Sequence, residues 1–306
     1  MPCVGFICPK CENPVGLEQA VEHLGEKCQV MYGPVVQSLV NSIGDERRGA
    51  GAGLSASTIC PTATCPRQLA IARYMPYYSD PRKIEEAEEG SAIHHAMHQR
   101  GQGDGRWRVE VPLPGPMDEG KPGVRRNEKG FLELELWPGV WLSCIMDRVR
   151  DDWSMIEDLK TKRTSKFVFL PASKSAALSK QLVDSTVIQL NVNRLIAERL
   201  GYGPVKKMFA WVYLRGCYEA ERRHQPVEIA VLDESLVRGT CETFAREAQE
   251  RLQRLDLIEG DRHLVENEVA QFPMWGRDQG LFSGKKCLQY CEVNKVCFGL
   301  AGEVIF

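Results

Sequence analysis

No apolar run in this 306-residue chain approaches the roughly 18 residues that a membrane-spanning helix requires, and no secretion-signal pattern opens it. Those absences set the expectation of a cytoplasmic protein with no membrane partner. A bulk charge of one sign is missing too. The 39 Lys and Arg residues nearly cancel the 41 Asp and Glu residues, leaving a formal net charge of −2. A polyanion must therefore be held by a local basic tract, not by the surface as a whole. Internal repeats and low-complexity segments are absent as well, which leaves an ordinary globular protein. A hydrophobic content of 43% is ample for a packed core.

Cysteine is the residue present in excess: there are 12. In a long chain without a secretion signal, metal ligation explains them better than disulfides. They cluster at Cys3, Cys8, Cys11 and Cys28, at Cys60 and Cys65, and at Cys287, Cys291 and Cys297. Cys144, Cys217 and Cys241 stand alone and read as small buried apolar residues.

Residues 1–45 read as a small separate unit and residues 46–306 as the main domain, with the Gly-rich GDERRGAGAGLSAST as connector. Within the first, Cys8-Pro-Lys-Cys11 has the two-residue spacing of a zinc knuckle. Cys3 and Cys28 complete a four-thiolate set, with His23 an alternative to Cys28. Such a unit suits a DNA or protein partner. In the main domain, helices are expected around CPRQLAIARYM, KIEEAEEGSAIHHAMHQRG, Ser179 to Leu200 and SLVRGTCETFAREAQERLQRLDLI. Strands are expected in WRVEVPLP, FLELELWP, VWLSCIMDRVR, SMIEDLKTK, MFAWVYLRG and VEIAVLD. That order implies an α/β fold around a mixed sheet.

The stretch SCIMDRVRDDWSMIEDLKTKR carries the most chemistry. It reads as a strand ending in Asp147, a polar turn from Arg150 to Trp153, and a second strand from Ser154 to Thr161. Asp158 and Lys160 are two residues apart, so a strand projects both from one face. Two carboxylates beside an ammonium can hold a divalent cation next to a polarised water, an arrangement suited to phosphodiester cleavage. Carboxylates in apolar strands also need a cation to offset their desolvation. Upstream, His94 lies four residues after Gly90 on a helix whose small residues allow close approach; downstream, Gln189 lies on a mostly apolar helix face. From Lys160 to Val183 there are six basic residues and no acidic one, a track able to follow a phosphate backbone.

Gly90-x3-His94, then Asp147, then Glu157-Asp158-Leu159-Lys160-Thr161, then Gln189 resembles the RecB-like branch of the PD-(D/E)XK nuclease superfamily. The resemblance runs from about Leu54 to the C-terminus. It implies a restriction-endonuclease-like core with a central mixed sheet flanked by helices. It further implies Mg²⁺ or Mn²⁺ on His94, Asp147, Asp158 and the Leu159 carbonyl, and a water oriented by Lys160. Gln189 would contact DNA beside Lys162, Arg163 and Lys166, and Glu110 is a further acidic candidate. Two positions depart from the pattern: Ser143-Cys144 stands where glycine is common, and Asn193 where tyrosine is usual.

Cys287-x3-Cys291-x5-Cys297 needs a fourth ligand, which Cys65 or Cys60 can supply, and spacing alone suits either zinc or a [4Fe–4S] cluster. The sequence is similar here to the iron–sulfur members of the branch, the AddB nuclease domain and the CRISPR-associated Cas-four-type exonucleases. That likeness implies a [4Fe–4S] cluster on Cys65, Cys287, Cys291 and Cys297, stapling the domain. The expected activity is a 5′→3′ DNA exonuclease acting on single strands or ends, in recombination, repair or CRISPR spacer acquisition. Rival expectations are a trimming subunit partnered by CRISPR adaptation proteins, a DNA-binding protein with a silent nuclease centre, and cleavage of RNA.

Overall fold

In a computed structural model of the protein, residues 3–44, 53–61, 64–101, 105–163, 185–217, 223–272 and 296–297 are described. The chain forms two compact units that do not follow chain order. One takes residues 1–52, 64–89 and 250–306; the other takes 53–63 and 90–249. No helix among the described residues is long and apolar enough to cross a membrane.

In the first unit, β1 (Cys3–Ile7) and β2 (Pro14–Gly16) form an antiparallel hairpin, and β4 (Tyr77–Ser79) adds in parallel to β1. LEQAVEHL has apolar residues at helical spacing, yet it folds as a 3-10 turn, Leu17–Gln19, followed by a π-type turn, Val21–Lys27. VVQSLVNSI lies in the helix Gly33–Gly44. Phe6, Val15, Ala20, Leu24, Val36, Leu39 and Ile84 pack with Cys8 into a small core. The helix Pro66–Tyr74 starts on Cys65, whose Sγ accepts the Gln68 amide at 3.5 Å. Arg67 then ties that helix to the end of the helix Arg262–Ala270: its Nε donates to Phe272 O at 2.8 Å and Nη2 to Ala270 O at 2.6 Å.

The second unit is built on a mixed eight-stranded sheet flanked by helices. Its strands are β3 (Leu54–Ser55), β5 (Trp107–Leu113), β6 (Val124–Arg126), β7 (Leu132–Trp137), β8 (Val140–Arg150), β9 (Met155–Arg163), β10 (Lys207–Arg215) and β11 (His224–Ile229). All six expected strands form. β8 organises the rest. Its first half pairs with β3 and β7, and its second half with β5 and β9. β9 then runs parallel to β10, which pairs antiparallel with β11. Alternation in β8 explains its position: Leu142, Cys144 and Met146 are buried on one face, while Ile145 on the other is exposed.

The turn between β8 and β9 is fixed locally. The Asp152 carboxylate accepts from the Ser154 amide at 3.0 Å and from its hydroxyl at 2.7 Å. Trp153 takes a left-handed φ of 57° and stacks on Tyr202 with ring centroids 4.3 Å apart. The helix Ser185–Arg199 packs against β7, β8 and β9, with every residue from Leu190 to Ala197 buried. It stops at Gly201, whose φ of 86° suits a glycine after a helix C-terminus. The expected start of this helix at Ser179 lies outside the described residues.

Candidate active site and metal-binding cluster

The ladder between β8 and β9 pairs Val149 with Ile156 and Arg148 with Glu157, and its recorded pairing ends there. One step further the register sets Asp147 opposite Asp158. On the other side of β8, Glu110 falls between the pairs Val109–Arg148 and Val111–Met146, and so opposite Asp147. Three acidic residues on β5, β8 and β9 thus share one row. Glu110 reaches it with a left-handed φ of 50°, a costly conformation for a non-glycine residue and one found at functional sites.

Beyond the last pair, Asp147 replaces the ladder: its Oδ2 accepts the Leu159 amide at 2.7 Å. His94 Nδ1 is 3.6 Å from the same oxygen. The helix Pro81–Gly101 brings it there, and a Cβ added at Gly90 would come within 2.9 Å of Thr161 Oγ1, so this glycine permits the close approach to β9. Asp158 is only 4% exposed. Lys160 Nζ lies 2.8 Å from its Oδ2 as an ion pair, yet too obliquely to count as a directed hydrogen bond. Gln189 bridges the two, accepting from Lys160 at 3.0 Å through Oε1 and donating from Nε2 to Asp158 Oδ1 at 3.1 Å. Burial pushes the Asp158 carboxyl upward and Asp147 adds to the shift; Lys160 and His94 oppose it without reversing it.

A cleft of about 250 Å³ opens on Asp147, Asp158 and Leu159, lined also by Met97, Val109, Arg148, Glu157, Trp211 and His224. Arg148 pairs with the buried Glu157 at 3.1 Å and lies 4.1 Å over the Trp107 ring. The sequence reading missed Trp211 and His224. A signal existed: Phe209, Trp211 and Tyr213 alternate with the buried Met208, Ala210, Val212 and Leu214, which puts three aromatic rings on one half-exposed strand face.

Gly90, His94, Asp147, Asp158, Leu159, Lys160 and Gln189 are therefore brought together. Lys162 and Arg163 continue β9, but their side chains lie outside the described residues, as does Lys166 entirely. Cys287 and Cys291 also lie outside them. Cys65 and Cys297 are both buried thiols. Burial pushes the Cys241 thiol up to about 12, and the neighbouring Cys60 adds to this. Cys144, Cys217 and Cys241 are buried.

Among the described residues, one group of His, Cys, Asp and Glu side chains has all its ligand atoms within 4.8 Å of one another: Cys8, Cys11, His23 and Cys28. This cluster could bind a metal ion. The expected set needs a correction, because His23 joins Cys28 instead of replacing it, and Cys3 drops out. Its Sγ is 3.5 Å from Gly5 O on β1. Burial opposes ionisation of Cys8, yet donors from the Cys11 and Lys10 backbone, Cys11 and His23 bring its thiol down to about 6. Partial burial and the neighbouring Cys8 and Cys11 push Cys28 up to about 11. His94, Asp147 and Asp158 do not converge within the same limit.

Fold and sites thus define a mixed α/β protein with an acid–lysine cleft in one unit and a thiol–imidazole cluster in the other. No family model matches the chain, and no curated protein matches it. Among solved structures, one titled "Crystal structure of SSO0001" aligns at 14% identity with a TM-score of 0.37, covering 72% of this chain and 84% of that one. A likeness that loose bears on neither fold nor activity.

Proposed function

We propose that the protein is a divalent-cation-dependent deoxyribonuclease of the PD-(D/E)XK kind, acting on DNA ends or single strands. The observation that carries this reading is the alignment of Asp147 with Asp158 on neighbouring strands, with Lys160 held against Asp158 at a cleft. The donors suit a hard cation such as Mg²⁺ or Mn²⁺: two carboxylates, one with a buried oxygen that lacks a directed hydrogen bond, and an imidazole beside them. Asp147, Asp158 and His94, with the Leu159 carbonyl, would hold the ion. When bound, it supplies Lewis-acid polarisation of the phosphodiester and a more acidic water. Lys160 orients the attacking water, and Gln189 fixes the ammonium by accepting a hydrogen bond from it. Burial around Asp158 excludes bulk water and strengthens these electrostatic contacts.

By the same resemblance, Cys65, Cys287, Cys291 and Cys297 hold a [4Fe–4S] cluster. The burial of Cys65 and Cys297 suits thiolate ligation, and the two Arg67 bonds brace the helix that Cys65 begins. A 5′→3′ polarity, a cytoplasmic setting and a role in recombination, repair or spacer acquisition rest on that resemblance.

A second reading, a DNA-binding protein with a silent centre, has one observation in its favour. Gln189 already bonds to both Lys160 and Asp158 Oδ1, and the ligand atoms of His94, Asp147 and Asp158 do not all lie within 4.8 Å of one another. End-labelled single-stranded DNA incubated with Mg²⁺ or Mn²⁺, with and without EDTA, separates the two. Cleavage that EDTA stops and that Lys160→Met lowers by about 10²-fold or more supports the nuclease. Cleavage undiminished by Lys160→Met overturns the assignment, and none by anaerobically purified wild type favours the silent centre.

A further inference from the structure

Two turns in the first unit converge on one point. After β1, the Cys8 carbonyl accepts the Glu12 amide at 2.8 Å and the Cys8 amide donates to Asn13 O at 3.0 Å. Glu12 takes a left-handed φ of 60° to close this turn, which brings Cys8 and Cys11 to one side. The π-type turn Val21–Lys27 carries His23, and the Cys28 amide ends it by donating to His23 O at 2.8 Å. His23 Nε2 then lies 3.2 Å from Cys11 Sγ and 3.4 Å from Cys28 Sγ.

One imidazole nitrogen has either a single proton or a single lone pair, so it cannot make two full hydrogen bonds with two thiols. A cation between them resolves the arrangement. Zn–S bonds near 2.3 Å and Zn–N bonds near 2.0–2.1 Å place tetrahedral sulfur and nitrogen ligands about 3.6 Å apart, close to both distances. Three soft thiolates and one imidazole select zinc over the hard, oxygen-seeking cations proposed for the carboxylate cleft.

We propose that Cys8, Cys11, His23 and Cys28 bind one Zn²⁺ as a closed structural site, and that this ion closes residues 3–44 into their fold. The proposal is independent of the nuclease reading. Four protein ligands leave no coordination position for substrate, so the ion acts by joining the hairpin turn to the π-type turn. The hydrophobic core there has one aromatic ring, Phe6, and draws Ile84 from outside residues 3–44, so the ion adds a staple to a small apolar core.

The test measures zinc in the full-length protein by mass spectrometry after extensive dialysis, for wild type, Cys3→Ser, Cys28→Ser and His23→Cys. Wild type and Cys3→Ser keep a full equivalent at this site, Cys28→Ser loses it, and His23→Cys retains it. In cobalt-loaded protein, the sulfur-to-metal charge-transfer band should grow in His23→Cys, because a fourth thiolate replaces the imidazole. Limited proteolysis of chelated wild type should open residues 3–44 first. Equal zinc in Cys28→Ser and wild type overturns the proposal. So does loss from Cys3→Ser, or an unchanged cobalt spectrum in His23→Cys should Cys28→Ser fail to fold.

Discussion

Replacing Asp158 with Asn should stabilise the metal-free protein while removing its response to divalent cations. Lys160 at 2.8 Å offers Asp158 an attraction of about 6 kcal/mol at an effective dielectric near 20. Desolvating a carboxylate that is 4% exposed costs several kcal/mol, and Asp147 repels it from the facing strand. The upward direction of the Asp158 shift shows that the penalties win. Relative to the unfolded chain, the fold thus disfavours the ionised carboxylate. Asn supplies a neutral side chain of the same shape, keeps an acceptor for Gln189, and leaves Lys160 its bond to Gln189 Oε1. A gain of about 1 kcal/mol at neutral pH is expected, read as a shift of the urea midpoint without a change in slope.

The pH dependence has a definite sign. A carboxyl whose folded pKa is raised destabilises the fold above that pKa and has no such effect below its unfolded value, about 3.9. The advantage of Asp158→Asn should therefore vanish as pH falls towards 4. Adding Mg²⁺ at ten times its dissociation constant should stabilise wild type by about 1.4 kcal/mol and leave the variant unchanged. A variant less stable than wild type at neutral pH, or one that still gains stability from Mg²⁺, refutes the reasoning.

Three further outcomes follow from other parts of the molecule. Although buried, Asp118 has a carboxyl held below its ordinary range by Lys121, the Gly115 amide and Tyr202. Asp118→Ala should cost about 2–3 kcal/mol near neutrality, and the deficit should shrink as pH falls through the depressed pKa, followed by denaturation across that range. A Cβ on Gly5 would overlap the Val15 carbonyl across the β1–β2 hairpin, so Gly5→Ala should destabilise the first unit by about 2 kcal/mol or more, seen as faster proteolysis there. Trp211→Ala should weaken single-stranded DNA binding by about 1–3 kcal/mol in a filter or anisotropy assay, if bases stack on the cleft wall.

Much of the sheet was legible because β7 alternates Leu with Glu, β8 and β10 are short apolar runs rich in aromatic and β-branched residues, and turn chemistry bounds them. Asp158 and Lys160 could be placed on one face for the same reason. Asp147 was expected at the end of a strand, but β8 runs on to Arg150, since Val149 is buried between β5 and β9. Proximity across the chain was less accessible. His23 joined the thiol cluster because LEQAVEHL folds as a 3-10 turn and then a wider π-type turn, where amphipathic spacing suggested a regular helix. The two-residue β3 and three-residue β4 are too short to leave a periodic signature. The Trp211 and His224 wall arises from pairing between β10 and β11, which composition does not reveal.

The shared use of β8 by four partners constrains how this protein can change over evolutionary time. Lengthening the 151–154 bend would disturb local contacts, the Trp153–Tyr202 stack and the bonds that the Ser154 carbonyl accepts from the Lys206 and Lys207 amides, without shifting the register of β8. Inserting a single amino acid between Leu142 and Asp147 is another matter. It would rotate the distal half of the strand by one pleat, sending Asp147 to the opposite side of the sheet while the proximal half stayed in step with β3 and β7. Drift in length should therefore accumulate at the sheet's margins and spare this one strand.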